Sequence, residues 1–153
     1  MTAKKPTTEH DLGPTLEFMR ALWQLAHGLE TKSKNMLSTI GVTGPQRLAI
    51  RILGRFPGAT PSDLATMLSL HRSTVTGIVQ RLEDRGLVRR VKSSADGRSV
   101  KLHLTAAGKR IDKPRSGTTE HAVDRILSRR SAREIESARS LLRELTEELR
   151  GED

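Results

Sequence analysis

Four apolar residues, Val75, Ile78, Val79 and Leu82, recur at i, i+3, i+4 and i+7 in the stretch HRSTVTGIVQRLEDRGLVRR. That spacing predicts a helix over about residues 72–85 with one buried face, stopped by Gly86. The opposite face carries Ser73, Gly77, Gln80 and Asp84, flanked by Thr76 and Arg81. Such a helix needs an apolar neighbour on one side and a polar partner on the other. TPSDLATMLSL, just upstream, supplies the neighbour. Thr60 is placed to cap a helix, Pro61 suits its first turn, and Asp63 favours its N-terminal dipole. Leu64, Ala65 and Leu68 face inward, Ala65 being small enough for two helices to cross closely. A short turn at Ser69 and Leu70 completes the spacing of a helix-turn-helix.

Two strands follow. VRRVK is short, and VKLHL alternates, with Val100, Leu102 and Leu104 on one face and Lys101 and His103 on the other. Between them lies the turn-rich SSADGRS, so a two-stranded hairpin trails the helix-turn-helix as a wing. Before it, a helix is expected from about Pro14 to Thr39, with Phe18, Leu22, Leu25, Leu29 and Met36 on one stripe. A second opens at Thr43, which forms a capping box with Gln46, and buries Leu48, Ala49, Ile52, Leu53 and Phe56. Thr105 caps a further helix, interrupted at DKPRSGTT by Pro114 and Gly117. A last helix, about Ala132–Leu149, carries Ile135, Ala138, Leu142, Leu145 and Leu149 as a packing seam. The expected fold is mainly α with a small β-hairpin wing: a winged helix-turn-helix with N- and C-terminal dimerisation helices. Its divisions are a flexible arm (1–13), an N-terminal dimerisation helix (14–40), a DNA-binding domain (41–108) and C-terminal dimerisation helices (109–153).

The charge concentrates where this motif lies. Residues 70–115 hold twelve Lys/Arg against four Asp/Glu, whereas residues 116–153 hold seven against nine, within a chain of net charge +9. A basic middle between near-neutral flanks points to a docked polyanion. Hydrophobic residues are 35% of the 153, a modest core for a helical chain and one that favours burial of the remaining stripes in a homodimer. The absence of cysteine excludes disulfides, thiolate metal sites and thiol redox sensing. No apolar run is long enough for a membrane span and no leader pattern is present, so a cytoplasmic location is expected. No Gly-rich phosphate loop or paired catalytic motif marks an enzyme. His10, His27, His71, His103 and His121 are scattered without ligand spacing, and neither a metal nor a cofactor is expected.

Helices of this kind enter the major groove of double-stranded DNA with their N-terminal residues nearest the base edges. Ser73, Thr76 and Gln80 are the expected base readers, Arg72 and Arg81 contact bases or phosphates, and Gly77 permits close approach. Asp84 lies late in the helix, too far back and too acidic to touch DNA. In the wing, Arg98 can reach an adjacent minor groove, with Asp96 holding its guanidinium. Arg89, Arg90, Lys92 and Lys101 are candidate phosphate contacts, which position the protein without reading sequence.

The segments VTGPQRLAIRIL, DLATML, RSTVTGIVQRLEDRGLVRR and DGRSVKLHLTAAG together resemble the MarR family of bacterial transcriptional regulators, over about residues 42–108. The resemblance implies a homodimer with intertwined terminal helices, and recognition helices in successive major grooves of a pseudo-palindromic operator. It also implies a ligand seated between the dimerisation helices and the winged helix that weakens DNA binding. It places Arg72, Ser73, Thr76 and Gln80 on recognition positions and Asp96 and Arg98 on the wing pair. His71 departs from the pattern, standing where Ser or Thr usually caps the recognition helix, and Pro114 and Gly117 interrupt what is often one long helix. For a pocket, Trp23, His27, Arg47 and Arg51 are the candidates, and the arginines suit an anionic aromatic effector. The expected function is a ligand-responsive repressor. The alternative is a constitutive or nucleoid-architectural DNA-binding dimer without an inducer.

Overall fold

The structure, a computed structural model, describes residues 12–95 and 97–151. In chain order it runs α1 (Gly13–Ile40), α2 (Gly44–Arg55), α3 (Pro61–Leu68), α4 (Arg72–Asp84), β1 (Val88–Lys92), β2 (Val100–Leu104), α5 (Ala106–Asp112), α6 (Thr119–Leu127) and α7 (Ala132–Arg150). Of the arm expected over residues 1–13, residues 1–11 lie outside the described residues and Gly13 already opens α1. No helix among the described residues is long and apolar enough to cross a membrane.

Side-chain caps set most of the helix starts. Thr43 and Gln46 exchange bonds at the head of α2, as Thr60 and Asp63 do at α3 and Ser131 and Glu134 at α7. Thr105 accepts from the Gly108 amide at 3.1 Å and donates to the Gly86 carbonyl at 2.6 Å, so one hydroxyl starts α5 and pins it to the end of α4. Gly86 supplies the left-handed turn (φ 66°) that lets the chain leave α4 and enter β1. Gly108 is buried so close to the Leu87 carbonyl that any Cβ there would collide with it.

β1 and β2 pair antiparallel, Val88 opposite Leu104 and Lys92 opposite Val100. One hairpin face therefore carries Val88, Leu102 and Leu104 against the helices, and the other carries Arg89, Val91, Lys101 and His103. A single core joins Ala49, Ile50 and Leu53 of α2, Leu64 and Ala65 of α3, Val75, Ile78, Val79 and Leu82 of α4, and these strand residues.

One expected face needs correction. In α2 the buried stripe is Gln46, Ala49, Ile50 and Leu53, while Leu48 and Phe56 are exposed. At 100° per residue Leu48 lies about 200° round from Gln46, on the far side of the helix. Phe56 is already past the last helical turn (φ −125°, ψ 69°) and leaves the stripe, its ring lying under the Arg55 guanidinium. In α1, Met36 alone of the expected stripe is buried within one chain.

The C-terminal region breaks where Pro114 and Gly117 stand. α5 ends at Asp112, and Thr118, buried, caps the new helix α6. α6 and α7 bury none of their own described residues. The winged helix is thus a complete core, and the terminal helices leave large apolar side chains uncovered, including Phe18, Trp23, Leu25, Leu29, Val123, Ile126, Leu141, Leu142 and Leu149.

Candidate nucleic-acid interface

α4 is divided lengthwise. Val75, Ile78, Val79 and Leu82 are buried, while Arg72, Ser73, Thr76, Gln80 and Arg81 are exposed on the other side. Gly77 is half-buried, and a Cβ added there would meet only open space, so the helix surface is shallow between Ser73 and Gln80. His71 gives no side-chain cap bond, which leaves the first-turn amides of α4 without the oxygen that Thr60 provides to α3.

Two of the expected readers are already oriented. The Thr76 hydroxyl donates to the Arg72 carbonyl at 2.8 Å, so its lone pairs and methyl are what it can offer outward. Gln80 Nε2 donates to Asp84 Oδ1 at 2.8 Å, one helical turn away. Asp84 is therefore part of this surface through Gln80, a role its distance from the helix N-terminus conceals. The i, i+4 spacing of an amide and a carboxylate was the signal for it.

The hairpin extends the basic surface. Arg89 and Lys101 are exposed on its outer face, and Lys92 is exposed near its tip. Arg90 turns the other way: its Nε donates to Glu83 Oε2 at 2.8 Å, tying the wing to α4. The wing turn is closed by bonds from the Ser93 amide to the Ser99 carbonyl at 2.8 Å and from the Gly97 amide to the Ser93 carbonyl at 3.0 Å. Arg98 is exposed in that turn. Asp96, its expected partner, lies outside the described residues.

The four residues named for an effector pocket are put to different uses. Trp23 and His27 are exposed on α1, Trp23 at 66%. Arg47 is 1% exposed and its guanidinium is fully engaged: Nε donates to Glu120 at 2.7 Å, Nη2 to the Lys113 carbonyl at 3.0 Å, and Nη1 to the Ile111 carbonyl. Arg51 pairs with Asp112 at 2.8 Å. Both arginines thus clasp α2 to the broken joint between α5 and α6. Burial raises the Glu120 pKa, but the bond from Arg47, a bond from Glu120's own backbone amide, the Arg47 charge and the Thr118 hydroxyl together outweigh that and hold the carboxyl below its ordinary value. A further contact not foreseen from sequence reaches the α3–α4 turn. Arg150, the last residue of α7, donates to the carbonyl of Ser69, a left-handed residue (φ 53°), at 2.8 Å.

Similar proteins place this geometry. The MarR family model matches residues 40–99, from the end of α1 through the helix-turn-helix and β1 to the wing turn. An HTH-type transcriptional repressor of Mycobacterium tuberculosis is 29% identical over 124 residues, covering 81% of this chain and 89% of the relative. The organic hydroperoxide resistance transcriptional regulator of Bacillus subtilis is 30% identical over 133 residues, covering 84% and 86%. Among solved structures, the PcaV transcriptional regulator from Streptomyces coelicolor, in complex with its natural ligand, superposes with a TM-score of 0.66 at 26% identity, covering 96% of this chain and 98% of that one.

Proposed function

Because this chain belongs to the MarR family and is a DNA-binding transcriptional regulator, we propose that it acts in the cytoplasm as a homodimeric repressor that reads a pseudo-palindromic operator through α4. The observation that carries this reading is the lengthwise division of α4. One face is sealed into the core, and the other offers Arg72, Ser73, Thr76, Gln80 and Arg81 to solvent, where the side-chain bonds among the described residues are those of Thr76 to the α4 backbone and of Gln80 to Asp84. Ser73, Thr76 and Gln80 read base edges, Arg72 and Arg81 take bases or phosphates, and Gly77 lets the groove edge come close. Arg98 enters the neighbouring minor groove, and Arg89, Lys92 and Lys101 hold phosphates, while Arg90, expected to do the same, is engaged by Glu83 and braces the wing against α4.

Dimerisation is supported by the large apolar side chains left uncovered along α1, α6 and α7. A second copy covers them and sets two α4 helices about one helical turn of DNA apart. A small-molecule effector between the terminal helices and the winged helix is supported by the ligand-bound structure of the PcaV regulator. In this chain Trp23 and His27 are the exposed candidates for it, while Arg47 and Arg51 act as the clasp that such a ligand has to disturb.

The reading separates its residues by what their loss does. Gln80→Ala relaxes preference at one base pair per half-site by roughly 1–3 kcal/mol. Arg98→Ala weakens binding with a modest loss of sequence preference. Fluorescence anisotropy against duplexes substituted one position at a time measures both. An unchanged preference profile for Gln80→Ala contradicts the placement of α4.

A further inference from the structure

Asp84 is an acidic residue in the most unfavourable place α4 offers. It is the last residue of the helix, where the backbone dipole disfavours negative charge, and it is exposed on the side of the helix proposed to face a polyanion. Its one described bond explains its presence. Gln80 Nε2 donates to Asp84 Oδ1 at 2.8 Å, and both side chains are exposed, so no core packing requires the contact.

An unrestrained glutamine amide presents its oxygen or its nitrogen with little preference, because the two ends are nearly the same size. An ionised carboxylate only accepts hydrogen bonds, so Asp84 can hold the nitrogen end and repels the oxygen end. One N–H is used in the process. Oε1 and the second N–H remain, an acceptor beside a donor. That pair complements adenine in the major groove, whose N6 donates and whose N7 accepts, and it mismatches guanine, whose O6 and N7 both accept.

We infer that Asp84 is a positioning residue that locks the Gln80 amide in the adenine-reading orientation. Asp84 touches no DNA; it acts through Gln80, and this rests on the proposed placement of α4 in the major groove. Its negative charge lowers affinity for every sequence alike, while the locked amide raises discrimination at one base pair.

The test uses the full chain with four substitution sets: wild type, Asp84→Ala, Gln80→Ala and the double variant. Each is titrated against the operator recovered from random DNA and against duplexes with the other three base pairs at each half-site position. The result expected for wild type is A·T at the Gln80 position. Asp84→Ala then lowers discrimination at that position alone by about two- to tenfold, the worth of one hydrogen bond, while affinity for unrelated DNA stays equal or rises. In the Gln80→Ala background, Asp84→Ala no longer changes the profile. If Gln80→Ala itself leaves preference unchanged, the placement of α4 is wrong and the inference falls with it. If Gln80→Ala relaxes preference but Asp84→Ala moves all sequences equally, or the preferred pair is G·C, the placement stands and the positioning role of Asp84 is overturned. Loss of folding does not obscure the result, since an exposed acid at a helix C-terminus contributes nothing to the core and its removal favours the dipole.

Discussion

Arg47 shows how a single buried cation organises the joint between the winged helix and the terminal helices. Its guanidinium meets the carboxylate of Glu120 and two carbonyls, those of Ile111 and Lys113, on either side of the break before Pro114. Those carbonyls belong to the end of α5, where no further turn of helix exists to satisfy them. Replacing Arg47 with methionine keeps apolar bulk but strands these acceptors. Arg47→Met is expected to cost about 3 kcal/mol in chemical denaturation. Glu120 adds a pH dependence. Its carboxyl is held below its ordinary value in the folded chain, so its contribution is fully present above the unfolded pKa and is lost as pH falls through the folded one. Acid titration of stability in Glu120→Gln is therefore shallower than in wild type over the carboxylate range, and an identical acid limb contradicts this. None of this was legible at Arg47. One arginine in a helix reads equally as a ligand contact or a fastener until the α5–α6 joint is seen to fold over it.

At the scale of elements, local chemistry was the better guide. The capping oxygens of Thr43, Thr60 and Thr105, the alternation of VKLHL and the stops at Gly86 and Pro114 are all short-range devices, and each lies where the residues imply. Faces were harder to read. Leu48 and Phe56 are as apolar as Ile50, and hydrophobicity alone does not say which of them is covered. α6 was not located separately. Its Val123 and Ile126 are exposed, so its apolar pattern marks no core face among the described residues. The α3 cap gives a clean test of element stability. Thr60 accepts from the Asp63 amide at 3.1 Å, and Asp63 accepts from the Thr60 amide at 2.9 Å. Thr60→Ala is expected to lower stability by about 1 kcal/mol, a few degrees in Tm. The backbone bond and then the hydroxyl bond from Thr60 also hold the Asp63 carboxyl below its ordinary value. That contribution is present at neutral pH and is lost on acidification through the folded pKa, so the Tm gap between wild type and Thr60→Ala narrows at low pH. A gap that does not change with pH contradicts the reciprocal cap.

For the whole molecule, composition predicts that apolar stripes remain once one core is complete. A chain with 35% hydrophobic residues completes one small core in the winged helix, and most of the large side chains left over lie on α1, α6 and α7. The charge is divided in the same way, because the basic middle of the sequence folds into α4 and the hairpin, while the near-neutral ends include the helices whose apolar side chains are uncovered. An effector pocket was not legible, since the residues named for one separate into an exposed pair on α1 and a clasp under α2. Both the dimer and the base-reading face are tested together by selecting bound sites from random DNA at about physiological salt, where sequence-independent affinity is weak. The account predicts an enriched inverted repeat with half-site centres about one helical turn apart. Recovery of no motif, with binding that fades uniformly as salt rises, contradicts it and leaves an architectural DNA-binding protein in its place.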